Sequence, residues 1–415
     1  MVASPVIGEE YDNAWITANF IESGLGSNRA ISTYNNGTPD TDTDGEGPDT
    51  ATQYWRYFQE NDASTVFTTG VGYSNKRTTA GNYSFTGTFP TSDVTPAISQ
   101  NNNNWNLLGN PYPSYLDIAS FLTANNSKIA PAFLAIYVWN GTSYTNLTNG
   151  YLNPGQGFFI HSNVAIDVAS FTEIMQSHQT ENVFYKNNNP TIELIVTNGS
   201  VTKTTKIAYQ NGKSLGLDPG FDVGIFDGVA TDLSVYSYLV DNNEGIAFQK
   251  QTLPLVVVGL STIPLGIKAE VGKELVFSIQ KTFFPENLKV YLEDKWLNKF
   301  VLLSTKDANY NVAIKEKLNG TGRFYLHTTG KTLNSNSFNT DLLSIFKKDR
   351  TTIHISGING NVTVKLYSVQ GKKILQNSFY AQGFKEIRLP KVSAGVYIIQ
   401  VHTENSTTKQ KIILE

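Results

Sequence analysis

The chain contains no cysteine, so no disulfide braces it and no thiolate holds a metal. That absence leaves the redox compartment open, because a thiol-free protein is tolerated in oxidising and reducing surroundings alike. Charge is scarce too: 16% of residues are charged against 40% hydrophobic, and the formal net charge is −3 over 415 residues. With both signs interspersed, no basic field exists to neutralise the phosphates of a nucleic acid, which excludes that class of partner. Long hydrophobic runs are missing; "IAPAFLAIYVW" and "PLVVVGL" are too short to cross a bilayer as helices. No charged-then-apolar signal segment opens the chain. Instead "MVASPV" reads as the second half of a strand, which predicts that the chain is the C-terminal piece of a longer polypeptide.

What is abundant favours strands. Aromatics make up 12% of the residues, with 21 Tyr and 23 Phe, and 33 Gly punctuate them. Turn-forming residues recur about every eight to twelve positions, the rhythm of short antiparallel strands. A chain of this length buries sizeable cores and divides into roughly two to four domains. The reading is all-β: tandem antiparallel β-sandwich or jelly-roll-like domains ending in a small Ig-like β-sandwich.

Residues 1–186 read as a β-rich module with two Pro-turn pseudo-repeats. "MVASPVIGEEYDNAWITANFI" and "WNLLGNPYPSYLDIASFL" each run from an apolar strand through a Pro-rigidified turn into a short helix, with the residue before Pro held extended. "WNGTSY" is a hairpin signal, because Asn140 and Gly141 tolerate positive φ. A polar "YKNNNPT" marks the next boundary, and residues 187–332 alternate cleanly as a β-sandwich. Residues 333–345 form a polar linker, and residues 346–415 a small separate sandwich of six or seven short strands.

Several motifs carry possible chemistry. In "TPDTDTDGEGPDT", Asp40, Asp42 and Asp44 alternate and Gly45 follows, the first half of a calcium loop. The twelfth position, where an EF-hand needs a bidentate Glu, is Ala51, although Asp49 stands two residues earlier. Two readings stay open, a Ca2+ site at Asp40, Asp42, Asp44 and Asp49, and a solvated acidic turn. "GKSLG" matches a nucleophile elbow around Ser214, but "LDPGFD" follows it where a helix is required, so a hairpin loop is expected. His161, His178, His327, His354 and His402 are scattered without ligand spacing. Asp218, Asp222, Glu293, Asp294 and Arg323 are expected in buried ion pairs that link turns. Trp55, Tyr57, Tyr112, Tyr115, Trp139 and Tyr144 read as exposed rings able to stack on sugars, with Trp139 and Tyr144 the candidate glycan pair; core or cross-strand packing is the competing reading.

The tail carries the most specific pattern: "VTVKLYSVQGKKI", then "IRLPKVSAGVYIIQV", then "KQKIILE". An alternating strand ends in a Gln-Gly turn before basic residues; a Leu-led segment follows with Gly-hydrophobic-Tyr, and the chain closes on a Lys-hydrophobic strand. The carriers are Tyr367, Gly371, Lys372, Leu389, Gly395, Tyr397, Lys409, Lys411 and Ile412. This tail resembles the type A C-terminal sorting domain of the type IX secretion system of Bacteroidota. The upstream segments "WNLLGNPYPSYLD", "PGQGFFI", "DPGFD" and "GRFYLH" resemble modules that precede such tails in large Flavobacterium-like surface proteins.

The resemblance implies a secreted, cell-surface protein. Export would run through the periplasm on an upstream signal peptide and across the outer membrane through the type IX translocon. An outer-membrane β-barrel shuttle would bind the tail, and a sortase-like peptidase would remove it, in the linker before Asp341, and join the cargo to surface polysaccharide. The upstream domains are then expected to act as a stalk or an adhesin, and not as an enzyme. A calcium- or glycan-binding adhesin module is the alternative.

Overall fold

The computed structural model describes residues 1–24, 26–37, 54–141, 143–178, 189–227, 232–259, 261–329, 344–349, 352–393, 395–403 and 407–414. The fold is all-β. Among these residues α-helix is confined to Asn13–Ala18 and Ile118–Ala124, and no helix is long and apolar enough to cross a membrane. Two compact units are present: Met1–Asn187 with Phe226–Val229, and Asn188–Ile225 with Ala230–Glu415.

In the first unit each Pro-turn segment ends in a helix capped by aspartate. Asp12 accepts the backbone N–H of Trp15 at 2.8 Å, and Asp117 accepts that of Ser120 at 2.7 Å. Each such cap contributes about 1 kcal/mol. Cores form where alternate strand residues meet these helices. Trp15, Ile31, Phe58, Phe67 and Tyr73 fill one, and Phe121, Phe158, Ile160 and Phe171 fill another. A four-stranded sheet runs in the order Tyr144–Leu147, Ile136–Trp139, Gly157–His161, Trp105–Gly109. Gly109 is required in its strand because a Cβ there would lie 2.1 Å from that of Ala3. A three-stranded sheet places Asn28–Tyr34 between Trp55–Gln59 and Ser74–Asn75.

The second unit contains an 11-stranded, mainly antiparallel sheet wrapped on one core that includes Ile192, Leu194, Tyr209, Leu253, Phe277 and Leu326. Its clean alternation is visible in Thr191–Thr197, where Ile192, Leu194 and Val196 are buried and their neighbours half-buried. One pair, Thr202–Gln210 with Phe248–Pro254, is parallel.

The tail in the same unit is a five-stranded antiparallel sheet over a core of its own. Where six or seven short strands were expected, the described residues form five, two of them long: Thr352–Ser368 and Lys373–Arg388, of 17 and 16 residues. The pair stays continuous because a bulge between Ser356 and Ile358, and Gly360 at φ 110°, absorb the irregularity without ending the strand.

Candidate functional site

The recognised tail residues fall into three structural groups. Gly371 takes φ 82° in the turn after Thr352–Ser368, and its N–H donates to the Ser368 carbonyl at 2.9 Å, leaving Lys372 exposed. Leu389, Tyr397 and Ile412 are buried in the tail core with Val362, Val364 and Leu366. Tyr397 also donates its hydroxyl to the Ser393 carbonyl at 2.7 Å, and this pins the approach to the strand Gly395–His402. Tyr367 is half-buried across from Ile398. Lys409 and Lys411 are exposed on the last strand, opposite Gln400 and Ile398.

That last strand, Thr407–Leu414, ends the sheet order and, among the described residues, pairs with Gly395–His402 alone. Among the described residues its other edge carries no strand. A strand edge of unpaired N–H and C=O groups is a template for a further strand, and flanking lysines discourage indiscriminate pairing. The two lysines share one face, and Ile412 anchors the other to the core.

The acidic stretch with Asp40, Asp42, Asp44 and Asp49, and the linker before Asp341, lie outside the described residues. Among the described residues no group of three His, Asp or Glu side chains converges to hold a metal.

The hairpin brings Trp139 and Tyr144 opposite each other, with ring centroids 5.1 Å apart. Gly141 takes φ 102°; Asn140 does not take positive φ and instead accepts the Ser143 N–H at 2.9 Å. Trp139 is 43% exposed. Tyr144 is half-buried, with Phe226 against its ring at 4.1 Å and Phe159 at 5.8 Å, and burial pushes its phenol up to about 12. Phe226 also packs on Trp105, whose indole N–H donates to Asp227 at 2.8 Å. Trp55 and Tyr115 are half-buried and Tyr57 is exposed. Tyr112 does not belong to any exposed platform: it is fully buried and its hydroxyl donates to the Phe171 carbonyl at 2.9 Å.

The carboxylates expected in ion pairs divide by partner. Asp294 and Arg323 form a buried pair, with Nη2 to Oδ2 at 2.8 Å. Glu293 meets His327 at 2.8 Å. Asp222, fully buried, has no cation at contact distance among the described residues; it accepts the backbone N–H groups of Thr252 and Asp218, each at 2.6 Å, and so ties two loops together. Ser214 lies exposed in a turn, where both its N–H and its hydroxyl donate to Asp218.

One feature escaped sequence reasoning. Tyr11, Ser32, Arg56, Tyr57, Asp62 and Thr65 line a cleft of about 300 Å³ in the first unit. Its residues come from three separate stretches whose register no local pattern announces.

A family model described as Domain of unknown function (DUF8693) matches residues 48–148 and 140–328. A second, described as the secretion system C-terminal sorting domain, matches residues 347–415. No curated protein matches the chain. Among solved structures the chain is similar to PorZ, described as an essential bacterial surface component of the type-IX secretion system of Porphyromonas gingivalis. The identity is 10%, the TM-score 0.16, and the match covers 87% of this chain and 62% of that one. The chain thus spans less than two thirds of that relative's length.

Proposed function

We propose, for a chain that belongs to the DUF8693 family and whose sorting domain makes it a type IX secretion cargo, that its upstream β-domains serve as a stalk or adhesive module at the cell surface. The tail supports the following route. A signal peptide carries the protein to the periplasm, the outer-membrane translocon passes it, and a β-barrel shuttle receives the sorting domain. A sortase-like peptidase then cuts in the linker and joins the cargo to surface polysaccharide.

The observation that supports this route is the last strand, Thr407–Leu414, paired on one side among the described residues and bearing exposed Lys409 and Lys411. Such an edge fits recognition by strand addition, in which main-chain hydrogen bonds supply affinity and the side chains supply choice. No catalytic role is assigned to the upstream domains. Ser214 is engaged by Asp218, and Asp222, Glu293 and Asp294 are each engaged in contacts that join loops or strands.

The test fuses residues 341–415 to a periplasmically targeted fluorescent protein in a type IX-competent bacterium and in a secretion-deficient strain. Fluorescence outside the competent cells alone is expected. Retention in both strains would remove the tail as a sufficient address.

A second reading, a glycan-binding adhesin, is favoured by Trp139, an exposed indole on a hairpin beside Tyr144. It predicts saturable polysaccharide binding by the purified chain that weakens about tenfold in Trp139→Ala, a loss on the order of 1.4 kcal/mol. Equal binding by the variant would exclude the hairpin as the site.

A further inference from the structure

Charge nearly balances over the whole chain but not along it. Residues 346–415 carry 11 Lys and Arg against 4 Asp and Glu, a formal +7, whereas the residues before them carry 21 against 31, a formal −10. A basic segment attached to an acidic one is suited to meet an anionic partner that the rest of the chain does not attract.

Strand register gathers part of that charge on one sheet face. Val364, Leu366, Ile399, Val401 and Ile412 alternate into the tail core, so the residues between them face away from it. Across that outer face one row runs Gln376, Lys365, Gln400, Lys409, and the next runs Lys373, Tyr367, Ile398, Lys411. A third row is Ser378, Thr363, His402, Thr407, and no Asp or Glu occupies any of the three. Lys373, Lys409 and Lys411 are exposed and Lys365 is half-buried. Lys373 donates to Gln376 Oε1 at 2.7 Å, a neutral acceptor that leaves its charge unbalanced. Lys365 and Lys409 are rooted two strands apart, about 10 Å, which is close to the Debye length at physiological salt, so their potentials add.

The kind of cation narrows the kind of anion. All four are lysines, flexible point charges without the planar fork by which arginine grips a fixed carboxylate. Protein interfaces are enriched in arginine and depleted of lysine, which counts against an acidic protein as the occupant. Lysines spread over a flat sheet face match instead the laterally mobile charges of lipid headgroups, each contributing on the order of 1 kcal/mol near such a surface. Ile398, 39% exposed between Tyr367 and Lys411, sets an apolar group among them at the height of a membrane interface.

We propose that this face of the tail docks on an anionic lipid surface through Lys365, Lys373, Lys409 and Lys411. The docking rests on the export reading above, in which the tail meets a membrane, but it uses the sheet face and not the strand edge.

Co-sedimentation of the purified full chain with vesicles tests it, using phosphatidylcholine alone and phosphatidylcholine with about one-third phosphatidylglycerol. The chain should bind the anionic vesicles and not the neutral ones, although its own net charge is −3, and rising salt should release it. Lys365→Gln with Lys373→Gln should weaken binding about tenfold or more. Lys306→Gln with Lys315→Gln removes the same charge from exposed positions of the preceding sandwich and should bind as wild type. Binding to both kinds of vesicle alike, binding to neither, or equal loss in the two double variants overturns the proposal. Capture by soluble polyglutamate but not by vesicles also overturns it and assigns the face to an acidic protein. Machinery-dependent export of the passenger by a tail whose full chain ignores anionic vesicles removes the lipid contact and leaves the export reading standing.

Discussion

Tyr397 and Ile412 stand directly opposite each other across the last two strands, both buried in the tail core, while Lys409 and Lys411 face away on the same closing strand. This separates two ways of disabling the tail. Ile412→Ala removes buried atoms and should cost about 2–5 kcal/mol of tail stability, with passenger export falling as the domain opens. Lys409→Glu with Lys411→Glu should leave the melting curve within about 0.5 kcal/mol of wild type, because both side chains are exposed. Export should fall nonetheless, since the strand edge then presents the wrong charge. Melting and export measured on the same fusions check this; export unchanged in the double lysine variant would mean that these charges are not read.

The second prediction concerns the pair buried in the 11-stranded sheet. Arg323 reaches Asp294 through Nε at 3.1 and 3.2 Å and Nη2 at 2.8 Å, and Tyr310 donates its hydroxyl to the same carboxylate at 3.0 Å. The guanidinium also lies 4.7 Å from the ring centroids of Trp296 and Phe324. Asp294→Ala leaves this cation buried and uncompensated, and should cost roughly 3–5 kcal/mol in urea unfolding. The double variant Asp294→Leu with Arg323→Met should recover much of that loss, because neither charge then has to be desolvated. A double variant no better than the single would show that the network's hydrogen bonds matter more than its charges.

Two groups with displaced titrations give the third prediction, with opposite signs. Burial against Trp105 and Phe133 lowers His161 from 6.5 to about 4, although the nearby Asp227 carboxylate works the other way. The unfolded chain therefore takes up the proton first: the stabilisation is complete above 6.5 and is lost as pH falls towards 4. Asp222 is raised from 3.8 to about 6 by burial, against the pull of its two backbone donors. Its contribution is complete below 3.8 and is lost as pH rises through 6. Relative to wild type, the Tm of His161→Phe should therefore rise on going from about pH 7 to about pH 4.5, and that of Asp222→Asn should fall over the same change. A Tm difference independent of pH in either variant would contradict the assigned burial effect.

The all-β fold was legible because period-two alternation is a local property. "VYIIQV" announces that Tyr397, Ile399 and Val401 share a buried face, and the structure has them so. Gly371 was legible as a turn for the same reason: positive φ is a property of one residue and its neighbours. What required partners distant in sequence was not legible. Only the register of Asn28–Tyr34 against Trp55–Gln59 sets Ser32 opposite Tyr57, and no local pattern in either segment announces it. Tyr112 sits in a Pro-rich turn that looks exposed, and only the fold shows the Phe171 carbonyl waiting for its hydroxyl. The tail strands were counted too short because glycine in a strand and glycine in a turn look alike until pairing is known.

Gly266 and Tyr236 illustrate the same dependence and give the fourth prediction. They face each other across Ser234–Ser237 and Thr262–Ala269, and a Cβ on Gly266 would lie 1.9 Å from the Tyr236 ring. The ring therefore occupies the space that a side chain on the partner strand would take, and covers backbone that glycine leaves bare. Gly266→Ala should cost about 1–3 kcal/mol, since the ring must leave its place on the sheet. Tyr236→Ala alone exposes the strand but relieves the crowding, so the two substitutions together should cost less than their sum. A coupling of about 0.5 kcal/mol or more in a double-mutant cycle is expected; additive costs would mean that the ring moves aside freely and does not hold the strand.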